Sequence, residues 1–282
     1  MAINEAIRFR HSVKRVVLAV IIYIIAVLYF FPILYMFLSG FKTEAQAVMP
    51  AIFFKPTLVT FAKVLGDPTM HQYLRNSLFQ VFFGTALSLF LGIPAAYALV
   101  FGHFKKRGSA EKYYSWFITT ILLPPVAVLI PLFTWFQKVR LINTPYGLLI
   151  AYVGFHIPIV VWMVHSFFSD LPKEIFEAAE IDGCTKFQRM IKIAVPLTRT
   201  GIISAALLVA VFIWNEFFLG FNLTGNPTAT LPVYMARFRE QQGQFVAQLS
   251  ASSTISVLPA IILGWISQKA LVKGLVAGAV KG

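Results

Sequence analysis

Six apolar runs, each near the length needed to cross a bilayer, constrain this chain more than anything else in it. They occupy about residues 16–38, 77–101, 113–136, 146–168, 200–222 and 250–272. A hydrocarbon core takes roughly 20 mostly apolar residues as a helix. The expected fold is therefore all-α, a polytopic membrane protein with six transmembrane helices. Composition agrees: 58% of the 282 residues are hydrophobic and 12% are charged, with a mean hydropathy of +0.76. Soluble domains carry roughly 25% charged residues. The first run follows Arg8, Arg10, Lys14 and Arg15, lacks a small-residue cleavage site and is too long for a signal peptide. It reads as a retained helix.

Charge sets the expected orientation. With the N-terminus inside, sixteen of the 24 Lys and Arg residues fall in inner segments and eight in outer ones. That bias places both termini in the cytoplasm. The net charge of +13 is split among short loops rather than gathered on one face, which argues against a nucleic-acid partner. One cysteine, Cys184, excludes an internal disulfide and a Cys-based metal site. The expected organisation is one membrane-embedded domain over 1–282. Its inner loop is 170–199, its outer loops are 39–75 and 222–249, and its inner tail is 273–282. The outer loops contain Pro50, Pro56, Pro68, Pro227 and Pro232, and the first reads as a short helix plus extended chain.

The inner loop carries most of the charge of its neighbourhood. Asp170 and Pro172 mark a helix start. Ile175, Ala178, Ala179 and Asp182 share one face at helical spacing. Gly183 suits a left-handed cap. Thr185 and Gln188 have capping-box spacing, so a second helix starts at once. Its apolar stripe is Phe187, Met190, Ile191 and Ala194, flanked by Lys186, Arg189 and Lys192, and Pro196 is expected to stop it. A helix–Gly–helix of this kind suits a partner's groove and equally suits lipid headgroups.

Chemistry-bearing motifs of enzymes are missing. The chain has no Gly-x-x-x-x-Gly-Lys-Ser/Thr loop for ATP, no His-Glu-x-x-His and no Gly-x-Ser-x-Gly. Its five histidines lack ligand spacing, so no metal and no cofactor are expected in this chain. Polar residues inside the spans are few: Asn76, His156, Asn215, Glu216 and a cluster that includes Ser253. They fit a polar path for a hydroxyl-rich solute, on whose sugar faces the chain's aromatic residues would stack. They fit interhelical hydrogen bonding as well.

Glu177-Ala178-Ala179, followed by Gly183 and then Val195-Pro196, resembles the EAA loop of ABC importer permeases. Arg75-Asn76-Ser77, Trp214-Asn215-Glu216, Leu231-Pro232 and the tail Gly274–Gly282 resemble the carbohydrate, maltose-type branch, and within it the permease with a Gly-rich tail. The resemblance implies coupling to an ATPase through Glu177, Ala178, Ala179, Asp182, Gly183, Phe187 and Met190. It implies a tail contact with the ATPase at Gly278, Lys281 and Gly282. The implied partners are a second, homologous permease forming a heterodimer, an ATPase dimer that holds ATP and Mg, an extracytoplasmic substrate-binding protein and membrane lipid. The implied place is the bacterial inner membrane. The resemblance implies import of a carbohydrate or polyol; a non-sugar solute, a passive channel or a membrane-embedded enzyme are the alternatives.

Overall fold

The structure is a computed structural model that describes residues 2–104, 106–240 and 245–279. Side chains are described between residues 14 and 265, apart from 105, 239–244 and 263. The described residues are helical throughout their ordered elements and include no strand. In chain order the helices are α1 (Ala2–Ser39), α2 (Glu44–Ala47), α3 (Val59–Leu65), α4 (Pro68–Phe101), α5 (Ser109–Ile121), α6 (Pro125–Lys138) and α7 (Pro145–Ser169). They continue with α8 (Lys173–Ile181), α9 (Lys186–Arg189), α10 (Val195–Leu197), α11 (Arg199–Asn215), α12 (Phe218–Leu223), α13 (Leu231–Glu240) and α14 (Val246–Ala279). A single π turn, Met190–Ala194, joins α9 to α10. Among the described residues, three helices are long and apolar enough to cross a membrane, or up to five if each of two bent pairs is one span.

The chain divides into two compact units. The first holds Met1–Asp67 and Phe238–Ser256. Within it, the most apolar window of α1 has no buried residues. The chain then turns sharply at Gly40, where a Cβ would meet the Phe61 ring at 2.9 Å and the Ala251 backbone at 3.2 Å. A Cβ there would require the ring and the Ala251 backbone to give way. Lys42 is fully buried. Its Nζ donates to the Ala51 carbonyl at 2.6 Å and lies 4.9 Å from the Tyr35 ring centre and 5.0 Å from that of Phe54. Thr43 and Gln46 form a capping box that starts α2. The Glu44 carboxylate accepts hydrogen bonds from the backbone N–H groups of Ala247, at 3.0 Å, and Gln248, at 2.9 Å. It thereby satisfies orphan donors in the first turn of α14. The first outer segment thus contains two short helices, one more than its proline pattern suggests.

The second unit holds Pro68–Arg237 and Val257–Gly282. Its centre is the packing of α4 on α7. Ser77, Gly84, Ser88, Gly92 and Ala96 recur at helical spacing along the buried face of α4. A Cβ on Gly92 would lie 2.6 Å from Val160 of α7, and one on Gly84 would lie 2.8 Å from Ile213 of α11. In a bilayer, where lipid is as apolar as Leu, such close backbone approach replaces the hydrophobic effect as the source of helix association.

Two expected spans are broken. The run 113–136 bends by 94° between α5 and α6. Pro124 and Pro125 have no N–H to continue the helix, and Pro124 takes extended dihedrals as the N-cap of α6. The run 200–222 stops at Asn215, because Glu216 is extended at ψ 118°, and restarts as α12.

Candidate functional site

The 170–199 loop keeps the expected helix–Gly–helix order and differs from expectation in its boundaries and faces. Asp170 is the C-cap of α7, and the N-cap of α8 is Pro172, which has no side-chain cap bond. Gly183 takes φ +81°, and its N–H reaches the Glu180 carbonyl at 3.0 Å. Thr185 and Gln188 form the capping box of α9. Pro196 does not end the second helix: the chain widens into the π turn at Met190–Ala194, passes Pro196 inside α10 and breaks at Thr198. The π turn accommodates the missing Pro196 donor without a sharp stop. From α10 to α11 the chain bends by 82°.

The loop sorts its residues onto two faces. Phe176, Ala179, Met190 and Ala194 are buried. Glu177, Ala178, Asp182 and Ile191 are exposed, as are Ile181 at 87% and Phe187 at 68%. Met190 and Ala179, both expected among the coupling residues, therefore belong to the inner packing, and Phe187 to the outer face. The expected face of Ile175, Ala178, Ala179 and Asp182 is divided, because only Ala179 turns inward with Phe176. Arg189, which the sequence places as a flank, is buried. Its Nη1 donates to Glu180 Oε2 at 2.7 Å and to the Phe176 carbonyl at 3.3 Å. That hydrogen bond and the guanidinium charge hold the Glu180 carboxyl below the usual carboxylate range. A hydrogen-bonded ion pair thus bridges α8 and α9 across Gly183. Periodicity alone does not show it, because Arg189 is one residue before Met190 and its long stem folds back over the turn.

The polar residues expected along a path have partners within the chain. Asn76 Nδ2 donates to the carbonyls of Pro227, at 3.1 Å, and Ala229, at 2.9 Å. His156 is buried, with Nδ1 2.6 Å from the Tyr152 carbonyl. Asn215 is exposed and donates to the Val211 carbonyl at 2.8 Å. Glu216 caps α12: Oε1 accepts from Leu219 N at 2.8 Å, and Oε2 accepts from Gly220 N at 3.1 Å and Tyr152 OH at 2.8 Å. Ser253 belongs to the first unit.

Asn76 is also part of a clamp on the second outer loop. Asn143, at φ +56°, points Oδ1 at Gly225 N, 2.8 Å away, and Thr228 Oγ1, 2.7 Å away. Gln72 Nε2 donates to the Pro227 carbonyl at 2.9 Å, and Ser77 Oγ accepts from Leu231 N at 2.8 Å. Tyr73 OH and the Arg237 guanidinium both donate to Asn226 Oδ1. Residues 241–244 of this loop lie outside the described residues.

A cavity of about 630 Å³ opens between α5, α6 and α7, walled by Trp116, Phe117, Trp135, Phe136, Phe155 and Pro158. None of Asn76, His156, Asn215 or Glu216 lines it. Among the described residues there is no cluster able to hold a metal ion. Of the tail positions, Gly278 falls in α14, while Lys281 and Gly282 lie outside the described residues.

Residues 88–276 match the family described as "Binding-protein-dependent transport system inner membrane component". The sequence is 34% identical over 259 residues to the sulfoquinovosyl glycerol transport system permease protein of Agrobacterium fabrum, covering 89% of each chain. It is 32% identical over 274 residues to the trehalose/maltose transport system permease protein of Thermococcus litoralis, covering 95% of this chain and 98% of that one. The fold is similar to a chain in the crystal structure of a bacterial ABC transporter involved in import of the acidic polysaccharide alginate. There the TM-score is 0.75 at 24% identity, over 92% of this chain and 96% of that one.

Proposed function

The chain belongs to the family of binding-protein-dependent transport system inner membrane components, the MetI-like permeases, and on that premise we propose that it is one permease subunit of an ATP-driven importer of a carbohydrate or related polyol. The transport systems named for its relatives handle a sugar glycerol derivative and trehalose or maltose. The observation that carries the coupling role is the outward face of the 170–199 loop. It sets Glu177, Ala178, Asp182 and Phe187 in solvent while Met190 and Gly183 shape the turn behind them. In this reading an ATPase dimer, which holds ATP and Mg, receives that face. Its closure draws together the loops of this chain and of a second, homologous permease. The equilibrium then moves toward outward access through differential binding of the two states.

The same reading places six spans in the bacterial inner membrane with both termini in the cytoplasm. An extracytoplasmic binding protein meets the clamped outer loop, and the tail at Gly278, Lys281 and Gly282 reaches the ATPase. Asn76, His156 and Asn215 form part of the polar wall of the path, and Glu216 positions that wall through its cap on α12. Co-purification of the ATPase with wild-type and Glu177→Ala chains tests the coupling role. A partner cation at a partly desolvated interface makes the loss worth about 2–5 kcal/mol, against about 0–1 kcal/mol for a solvated pair. Wild-type recovery of ATPase by Glu177→Ala would remove Glu177 from the interface.

A further inference from the structure

The docking helix α8 has nine residues, with no side-chain cap bond from Pro172 at its start and a glycine turn, the positive-φ Gly183, after its end. A helix this short does not hold its own shape or position in isolation. A push on its outer face would pivot it about those ends unless its inner face were fixed. The inner face is fixed by one large side chain. The Phe176 ring is 4% exposed and stacks on Phe101 of α4, with centroids 4.0 Å apart and planes at 27°. Tyr97 of α4 lies 6.4 Å from it. Phe168 of α7 closes the cluster, edge-on to Tyr97 at 6.0 Å and 6.3 Å from Phe101. The Phe176 carbonyl also accepts from buried Arg189, so the same residue is tied to α9.

We propose that Phe176 is the positioning residue that fastens the docking helix to α4 directly and, through Tyr97 and Phe101, to Phe168 of α7, so that displacement of α8 by its partner moves those two spans with it. The inference rests on the coupling role of α8 given above and adds the route by which motion enters the membrane. Ala179, the other buried side chain of α8, has no reach beyond its Cβ. The outward residues Glu177 and Ala178 touch a partner and leave the spans alone. Packed aromatic side chains transmit small shifts because an interior at crystal-like density has no free volume in which to absorb them.

The test uses the assembled complex of this chain with its partner permease and ATPase. Spin labels at native Cys184, whose N–H is bonded to the Ala179 carbonyl at 2.9 Å, and at Trp162→Cys on α7 report the distance from the docking helix to a span. In the wild type this distance and its width stay the same without nucleotide and with ATP plus vanadate. In Phe176→Ala the distance shifts and broadens under ATP plus vanadate by on the order of one helical turn, roughly 5 Å. Phe101→Ala, which lies in the span and away from the docking face, does the same. Phe176→Tyr keeps the wild-type distribution, and ATPase recovery is unchanged in all three. Wild-type distributions in both alanine variants would overturn the proposal while leaving the coupling role intact. Failure of the wild-type chain to retain any ATPase would instead overturn the coupling role and this inference with it.

Discussion

At Gly183 a Cβ would meet nothing within 4 Å, so the penalty for any other residue is conformational alone. Gly183→Ala should cost about 1–2 kcal/mol at φ +81°, and Gly183→Asn less, because Asn tolerates the left-handed region. Thermal melts of the three purified chains check this order; an alanine variant melting with the wild type would contradict it. Glu180 gives a pH prediction at the same scale. Its carboxyl is lowered first by the hydrogen bond and charge of Arg189, with smaller contributions from His103 and Lys186. The folded pKa lies below the unfolded one, so the contribution is fully present above the usual carboxylate range. It is lost as pH falls through the depressed value. Hydrogen exchange over residues 173–189 should be insensitive to this group between neutral pH and that range, after correction for intrinsic rates, and should quicken below it. Glu180→Gln should show the faster exchange already at neutral pH; equal protection in the two chains would show that the bridge contributes nothing.

Among the elements, the turn of the helix–Gly–helix was legible, since the glycine and the capping box are local signals, whereas its apolar spacing misassigned the faces: Phe187 and Ile191 are exposed while Met190 and Ala194 are buried. The roles of Phe176 and Arg189 were not legible, because the ring packs on Tyr97 and Phe101 of distant α4 and the guanidinium's partners depend on how α8 folds back at Gly183. Pro124 and Pro125 account for where the third run breaks, but not for its bend of 94°; proline dictates where a helix breaks, whereas neighbours dictate the angle. Glu216 looked like a path residue because a carboxylate in a span is rare, and its first duty proves to be the cap on α12. The outer-loop clamp depends on side chains up to 155 positions apart, beyond the reach of any pattern. Asn143→Ala would leave Gly225 N–H and the Thr228 hydroxyl without their acceptor, a loss of about 0.5–1.5 kcal/mol per bond, since water reaches the exposed one. We expect faster proteolysis between Thr224 and Thr230 with ATPase recovery unchanged. Cleavage at the wild-type rate would show that the remaining bonds suffice.

At the scale of the molecule, the orientation proposed from the charge bias predicts that Pro227→Cys, exposed in the clamped loop, reacts with an impermeant thiol reagent in intact cells, whereas Cys184 does not. Labelling of Cys184 from outside would reverse the orientation. The arrangement of the first unit has a consequence for how the protein is made. The first turn of α14 rests on the Glu44 carboxylate, a side chain 203 positions upstream of Ala247, and Ala251 sits against Gly40. During translation the segment 39–67 therefore waits, without its closing contacts, until nearly the whole chain has left the ribosome. A nascent chain that stalls before α14 carries the Glu44 carboxylate without the two N–H groups it accepts from and Gly40 without its Ala251 neighbour, and a cell that surveys half-built membrane proteins would meet a sign of incompleteness in this segment.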